Sequence, residues 1–281
     1  MTKKRWSKNE VKVLQKLYPE LGMSVSLSML KNRLPKRTVQ AIFRKAKYLG
    51  LNRIYYRIPN GDAYKLLEET PEAYYWAGFI TADGHINDNT HLQVRLSLKD
   101  KNHILKLAKY LNFKNIRYYN NHGFPAIALE LKDNFVIPQF AEKFNLVQNK
   151  TYNPPNLDWL RGDNFLAFLA GYIDGDGTIH YVNGRYVGLS IVGHKNWLRN
   201  FQMFEHKLYA ILKVPQFFNR SVARLDNYNR ALINLGDYAL LRAFKYKIRS
   251  LKLPVLSRKW NKINTARSLN KSEKIRLKKG V

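Results

Sequence analysis

The 281-residue chain contains no cysteine. Disulfide stapling, thiolate zinc sites and thiol catalysis are therefore excluded together. Acidic side chains are scarce: 20 Asp and Glu stand against 49 Lys and Arg, a formal net charge of +29. No stretch approaches the roughly 18 uninterrupted apolar residues of a membrane-spanning helix. The opening MTKKRWSKNE also lacks the apolar centre of a secretory leader. The expectation is an intracellular chain, in cytoplasm, nucleoid or organelle matrix, neither secreted nor held in a membrane. With 45% hydrophobic and 13% aromatic residues, wholesale disorder is excluded and a sizeable core is possible. The usual partner for so cationic a surface is nucleic acid.

The charge is uneven. Residues 1–57 carry a net +13 and residues 262–281 a net +6, which leaves +10 for the long middle. The tail, 263–281, reads as a basic, solvated extension. The N-terminal segment has an apolar pattern of its own. Ser7 and Glu10 have capping-box spacing ahead of a helix bearing Val11, Leu14 and Leu17 or Tyr18, closed by Pro19 and Gly22. A second helix is expected from Ser24 or Ser26 to Arg33. Thr38 then caps a third, which places Val39, Ile42, Ala46 and Leu49 on one face before Gly50. Gln40, Arg44, Lys45 and Lys47 lie off that face, with Arg37 just before it. A small three-helix unit whose last helix shows Gln and Arg is a common reader of the major groove, so Arg37, Gln40, Arg44 and Lys47 are candidate DNA contacts. Trp6 and RTVQAIFRKAKYLGL resemble Myb/SANT-like helix-turn-helix domains. Residues 58–62, IPNGD, read as the joint between this unit and the rest of the chain.

Beyond the joint lies a self-similarity. WAGFITADGHI (76–86) and LAGYIDGDGTI (169–179) align without gaps, 93 residues apart. Two copies at domain-length spacing indicate duplication rather than a solenoid. Each reads as a helix ending in Asp-Gly. Gly78 with Ala82, and Gly171 with Gly175, put small residues four apart on one helical face, so two such helices can meet backbone to backbone. Asp83 and Asp176 would then lie side by side, with Gly84 and Gly177 stopping the helices through left-handed exits. Two carboxylates beside unsatisfied helix C-terminal carbonyls repel one another, and a divalent cation resolves the conflict. All-oxygen donors point to Mg²⁺.

These segments resemble the LAGLIDADG motifs of homing endonucleases, and two copies resemble the single-chain, pseudo-twofold members. Copy two departs at Tyr172 and Gly175. Copy one departs at Trp76, Phe79 and Thr81, the last in the sixth-place acid position. The resemblance implies an α+β fold of two αββαββα halves, 63–156 and 157–262. It implies a metal set of Asp83 and Asp176 with Ala82 and Gly175, holding Mg²⁺, with Mn²⁺ or Ca²⁺ able to replace it in binding. A lysine late in each half stands near the scissile phosphates in that family; Lys150 and Lys259 match loosely, against the competing reading of ordinary surface lysines.

The repeat flanks alternate. HLQVRLSLK (91–99) sets Leu92, Val94, Leu96 and Leu98 against Gln93, Arg95 and Lys99, and RYVGLSIV (185–192) turns Val187, Leu189 and Ile191 inward. Helices follow near 101–111, opened by Asp100, and near 195–212. Strand pairs then fall near 115–120 with 125–132 and near 217–225 with 230–235. Arg220 and Arg224 face Arg230 on the last pair. One polar, Arg- and Gln-rich sheet face per half suits the major groove, so Gln93, Arg95, Lys99, Arg220, Arg224 and Arg230 join the DNA contacts. The resemblance implies a monomeric endonuclease cutting a long, asymmetric double-stranded DNA target with 3′ overhangs, without a small-molecule substrate. A non-cleaving RNA-splicing maturase or DNA-binding regulator is the alternative, and RNA is a partner only there.

Overall fold

The computed structural model describes residues 5–21, 25, 27–53, 61–88, 90–121, 123–182, 186–216 and 222–263. Gly22, Ser24, Ser26, residues 58–60 of the joint, Arg220, and the tail beyond Ile263 lie outside them.

Helices α1 (Lys8–Leu17), α2 (Leu27–Arg33) and α3 (Val39–Tyr48) surround a small core of Leu14, Leu30, Leu34, Ile42 and Ala46. The capping box forms: Ser7 Oγ accepts from the Glu10 amide at 3.2 Å, and Glu10 Oε2 accepts from the Ser7 amide at 2.8 Å. Thr38 Oγ1 caps α3 through the Ala41 amide. Arg37 corrects the expected pattern. It is buried rather than presented, donating to both Glu10 carboxylate oxygens at 2.8 Å and to the Arg5 carbonyl, with its guanidinium 4.5 Å from the Trp6 ring centre. An arginine that joins α1 to the start of α3 is committed to the fold.

The second, larger core contains the duplication. Helix α4 (Pro71–Asp83) leads into β1 (Gly84–Asn87) and β2 (His91–Ser97); α5 (Lys101–Tyr110), β3 (Ile116–Asn121), β4 (Phe124–Lys132) and α6 (Val136–Lys143) complete the first half. Helix α7 (Gly162–Asp176) opens the second half, with β5 (Gly177–Val182), β6 (Tyr186–Gly193), α8 (Leu198–Leu212), β7 (Ala223–Leu225), β8 (Ala231–Leu235) and α9 (Tyr238–Ser250). A short α10 (Ser257–Trp260) follows. The expected αββαββα order thus occurs twice. Both sheets are antiparallel, ordered β1-β2-β4-β3 and β5-β6-β8-β7, and the registers correspond: Gly84 faces Val94 where Gly177 faces Ile191. Among the described residues no helix is long and apolar enough to cross a membrane.

Helices α4 and α7 are buried along nearly their whole length, α4 from Ala73 to Thr81 and α7 from Phe165 to Asp174. Helices apolar on every side belong at the centre of a domain, and these two pack on each other. A Cβ added at Gly78 would stand 1.8 Å from the Phe168 carbonyl oxygen; one added at Gly171 would stand 1.9 Å from that of Tyr75. Positions 75 and 168, like 78 and 171, are repeat equivalents, so the contact is a pseudo-twofold one. On its axis, a Cβ at Gly175 would meet the Ala82 methyl at 2.3 Å. The seam has room for one methyl there.

The helix exits differ from expectation. Gly84 and Gly177 are extended, at φ −79° and −85°, not left-handed. Glycine is needed for another reason: the chain turns into β1 and β5 so tightly that a Cβ would lie 2.5 Å from the Ile80 oxygen or 2.7 Å from that of Ile173. Asp100 stands at the N-cap position of α5 as expected, but its side chain makes no capping hydrogen bond. Its carboxylate takes both ends of the Arg258 guanidinium, at 2.6 and 2.5 Å, tying the first half to α10.

Candidate active site

The seam delivers the two acids to one place. Asp83 and Asp176 are the last residues of α4 and α7, and a Cβ at Gly175 would lie 3.4 Å from the Asp83 carboxylate. Burial and then the negative charge of Asp176 raise Asp83 to about 6. Asp176 is more open to solvent, yet the surrounding protein still raises it, against the pull of Lys150, Lys259 and a hydrogen bond with Tyr172. Two helix C-termini add partial negative charge to the same spot.

The two sequence-predicted lysines arrive here as well. Lys150 Nζ donates to the carbonyls of Thr81 and Ala82, both at 2.6 Å. Lys259 Nζ donates to those of Ile173, Asp174, Gly175 and Gly177, between 2.6 and 3.1 Å. Each ammonium thus closes the C-terminus of its own half's motif helix, satisfying carbonyls that the helix leaves over. Burial lowers both lysines, while Asp176 and Asp83 pull Lys150 up, and Asp174 and Asp83 pull Lys259 up. Two acids and two lysines form one electrostatic unit at the end of the seam.

A hard divalent cation fits this donor set in part. Two mutually repelling carboxylates are oxygen donors that such an ion would relieve, and Mg²⁺ keeps most of its ligands as water. Among the described residues no three His, Asp or Glu side chains form a ready cage. The Ala82 and Gly175 carbonyls, the remaining expected donors, are already occupied by Lys150 and Lys259. A cation that used them would have to share them with, or displace, the ammonium groups.

Several solved structures resemble the chain. I-SmaMI bound to an uncleaved DNA target in the presence of calcium ions matches at 12% identity over 69% of this chain and 90% of that one, with a TM-score of 0.45. The I-LtrWI LAGLIDADG homing endonuclease bound to target DNA matches at 12%, over 68% and 87%, with a TM-score of 0.43. The LAGLIDADG homing endonuclease I-GzeII in complex with its DNA target matches at 12%, over 70% and 88%, with a TM-score of 0.44. No family model matches the chain, and no curated protein does.

The candidate DNA contacts fall into distinct states. On α3, Gln40, Arg44 and Lys47 are exposed. On the first sheet, Gln93 donates to Glu130 at 2.9 Å, Tyr119 donates to the same carboxylate, and Arg117 pairs with it at 2.9 Å. Arg95 lies 4.7 Å from the Tyr119 ring centre. Lys99 is exposed but sits in a 3-10 turn (Leu98–Asp100), so Leu98 and Lys99 leave the strand the alternation assigned them. On the second sheet Arg224 is exposed opposite Leu232. Arg230 precedes β8 and binds Asp226 through Nε at 2.8 Å and Nη2 at 2.7 Å.

Sequence reasoning did not single out Asp174, Tyr75, His103 or Glu130. Asp174 was visible as the sixth-place motif acid present in one copy only. Nothing in the sequence marked Tyr75 or His103 as polar partners, and Glu130 is one acid on an alternating strand.

Proposed function

We propose that the chain is a site-specific, divalent-metal-dependent endonuclease that hydrolyses both strands of a long, asymmetric DNA target and leaves 3′ overhangs. One observation carries the reading: a pseudo-twofold helix pair sets Asp83 and Asp176 at one end of a common axis, each with a lysine on its helix terminus. Two reaction centres related by a twofold match the antiparallel strands of a duplex. The LAGLIDADG resemblance of both repeats supports the same assignment.

On this reading each carboxylate serves one strand. Asp83 and Asp176 would hold Mg²⁺, which would supply Lewis acidity at the attacked phosphate. The raised affinity of Asp83 for a proton means that it offers its charged form only above about pH 6. Lys150 and Lys259, moved from carbonyl to phosphate oxygen, would balance charge that develops on the attacked phosphate. Lysines elsewhere supply sequence-independent, salt-sensitive affinity, while Gln93, Arg95 and Arg224, with Gln40 and Arg44, read bases. The N-terminal helices lengthen the site or anchor the protein beside it.

The test is selection of cleaved duplexes from a randomised library with Mg²⁺, followed by cleavage of the selected target. Wild type should cut both strands and stop cutting in EDTA. Asp83→Asn and Asp176→Asn should each lose double-strand cleavage, through the strand that acid serves, while keeping target affinity within about threefold. A variant that still cuts both strands would refute the assignment of the acids. Selection of structured RNA without any DNA cleavage would instead favour the splicing-cofactor alternative.

A further inference from the structure

The two lysine-bearing segments are each held by the other half, but by unlike bonds. Residues 151–155, just after Lys150, are strapped by neutral donors from the start of α8 and the turn before it. Asn196 Nδ2 donates to the Tyr152 carbonyl at 2.7 Å, Trp197 Nε1 to that of Thr151 at 3.1 Å, and Asn200 Nδ2 to that of Pro155 at 2.9 Å. Residues 254–260, which carry Lys259, are held by charged groups instead. Lys106 donates to the Pro254 and Val255 carbonyls, and Asp100 clamps Arg258. Between these ties lies a third that has no counterpart among the described residues of the first half.

That tie is Asp174. The residue is 2% exposed and its two carboxylate oxygens accept three hydrogen bonds. Trp260 Nε1 donates to Oδ1 at 2.8 Å, while the Leu256 amide, at 2.8 Å, and the Tyr75 hydroxyl, at 2.6 Å, donate to Oδ2. Tyr75 belongs to α4 and also meets His103 Nε2 of α5 at 3.0 Å. Leu256 and Trp260 bracket Lys259, so the carboxylate fixes the backbone on one side of that lysine and the ring on the other. The repeat-equivalent of Asp174 is Thr81, whose hydroxyl donates to the Ala77 carbonyl of its own helix at 2.8 Å.

We infer that Asp174 is a positioning residue for Lys259 alone, and that the two cleavage centres are therefore built to different tolerances. This rests on the endonuclease reading. An amide at position 174 would offer one acceptor oxygen where two are used. If that oxygen keeps Tyr75 and Leu256, the amide nitrogen faces the Trp260 N–H, donor against donor, and the ring beside Lys259 must shift. A displacement of about 1 Å at a positioned catalytic group costs on the order of a hundredfold in rate. Among the described residues no buried carboxylate holds the Lys150 segment, which is tied to α8 and the turn before it.

Strand-resolved cleavage of a duplex with a different label on each strand tests this. Lys150→Met and Lys259→Met first establish which strand depends on which lysine. Asp174→Asn should slow the Lys259-dependent strand by about ten- to a hundredfold and the other strand by less than about threefold, so that nicked duplex accumulates. Trp260→Phe guards against a folding failure: it removes one donor to Asp174 but keeps the ring packed on Phe244, whose centre is 5.3 Å away. It should bias the same strand in the same direction, more weakly. Equal slowing of both strands by both variants, the outcome of a merely structural role, would overturn the inference, as would a bias toward the Lys150-dependent strand. If wild type itself binds but leaves both strands intact, the endonuclease reading fails, and this inference with it.

Discussion

Adding one methyl group to the seam should force the two motif helices apart. In Gly171→Ala the new Cβ would lie 1.9 Å from the Tyr75 oxygen, 2.8 Å from the Phe79 nitrogen and 2.9 Å from the Tyr75 carbonyl carbon. All three are backbone atoms of α4, so no side-chain rotation relieves them. Ordinary contact begins near 3.4 Å, and reaching it requires the helices to part by about 1.5 Å. A gap of 0.5–1 Å already forfeits about a quarter to a half of the dispersion energy of facing atoms. Overpacking typically costs about 1–3 kcal/mol where side chains can adjust; here the cost should lie at about 3–5 kcal/mol. Urea unfolding followed by far-ultraviolet circular dichroism measures it, with Gly236→Ala as the control. No described residue lies within 4 Å of a Cβ at Gly236, so that substitution should stay within about 0.5 kcal/mol of wild type. If the two alanine variants unfold at the same urea concentration, the backbone-to-backbone seam is wrong.

Three other predictions concern charge. Glu10 is held down to about 2, first by hydrogen bonds from Arg37. Its contribution is full above the ordinary value near 4.5 and is lost as pH falls toward 2. Acid titration of the N-terminal helices should therefore show a loss of about 1–2 kcal/mol over that window, allowing for solvent screening, and Arg37→Met should abolish it. Asp83 is raised to about 6 from an ordinary 3.8, so its charge opposes folding increasingly as pH rises between those values. Asp83→Asn should consequently be more stable than wild type at pH 8, by about 1–2 kcal/mol, and no more stable at pH 3; equal stability at both pH values would refute the cost assigned to burying that charge beside Asp176. In DNA binding, Arg224→Ala should weaken affinity more than Arg230→Ala, because Arg230 must first leave Asp226; binding isotherms at two salt concentrations decide it.

How much was legible beforehand depended on whether a residue's role is local. The repeat spelled out the seam because small residues four apart leave few other uses for a helix face. Strand alternation and the Ser7–Glu10 box are likewise short-range patterns, and the structure keeps them. The exits at Gly84 and Gly177 were misjudged because helix-ending glycines are usually left-handed, whereas here an immediate strand requires an extended turn against the helix's own last residues. Arg37 looks in sequence like any arginine beside a recognition helix; only the fold brings Trp6 and Glu10 to it. Asp174 draws its donors from positions 75, 256 and 260, separations that no periodicity encodes. The lysines were placed by resemblance, but the carbonyls they bind depend on loops that return across the whole half.

The single methyl on the axis, at the acid end of the seam, also bears on which halves mate best. Two copies of the first half, joined through the same contact, would bring Ala82 against Ala82 where there is space for one side-chain carbon; two copies of the second would set Gly175 against Gly175 with room to spare. The mixed pair alone fills the axis without crowding it. After duplication, this one difference makes each half a better match for its sibling than the first half is for itself. Two separately expressed halves should therefore pair unlike with unlike, and any self-association through this face should be confined to the second.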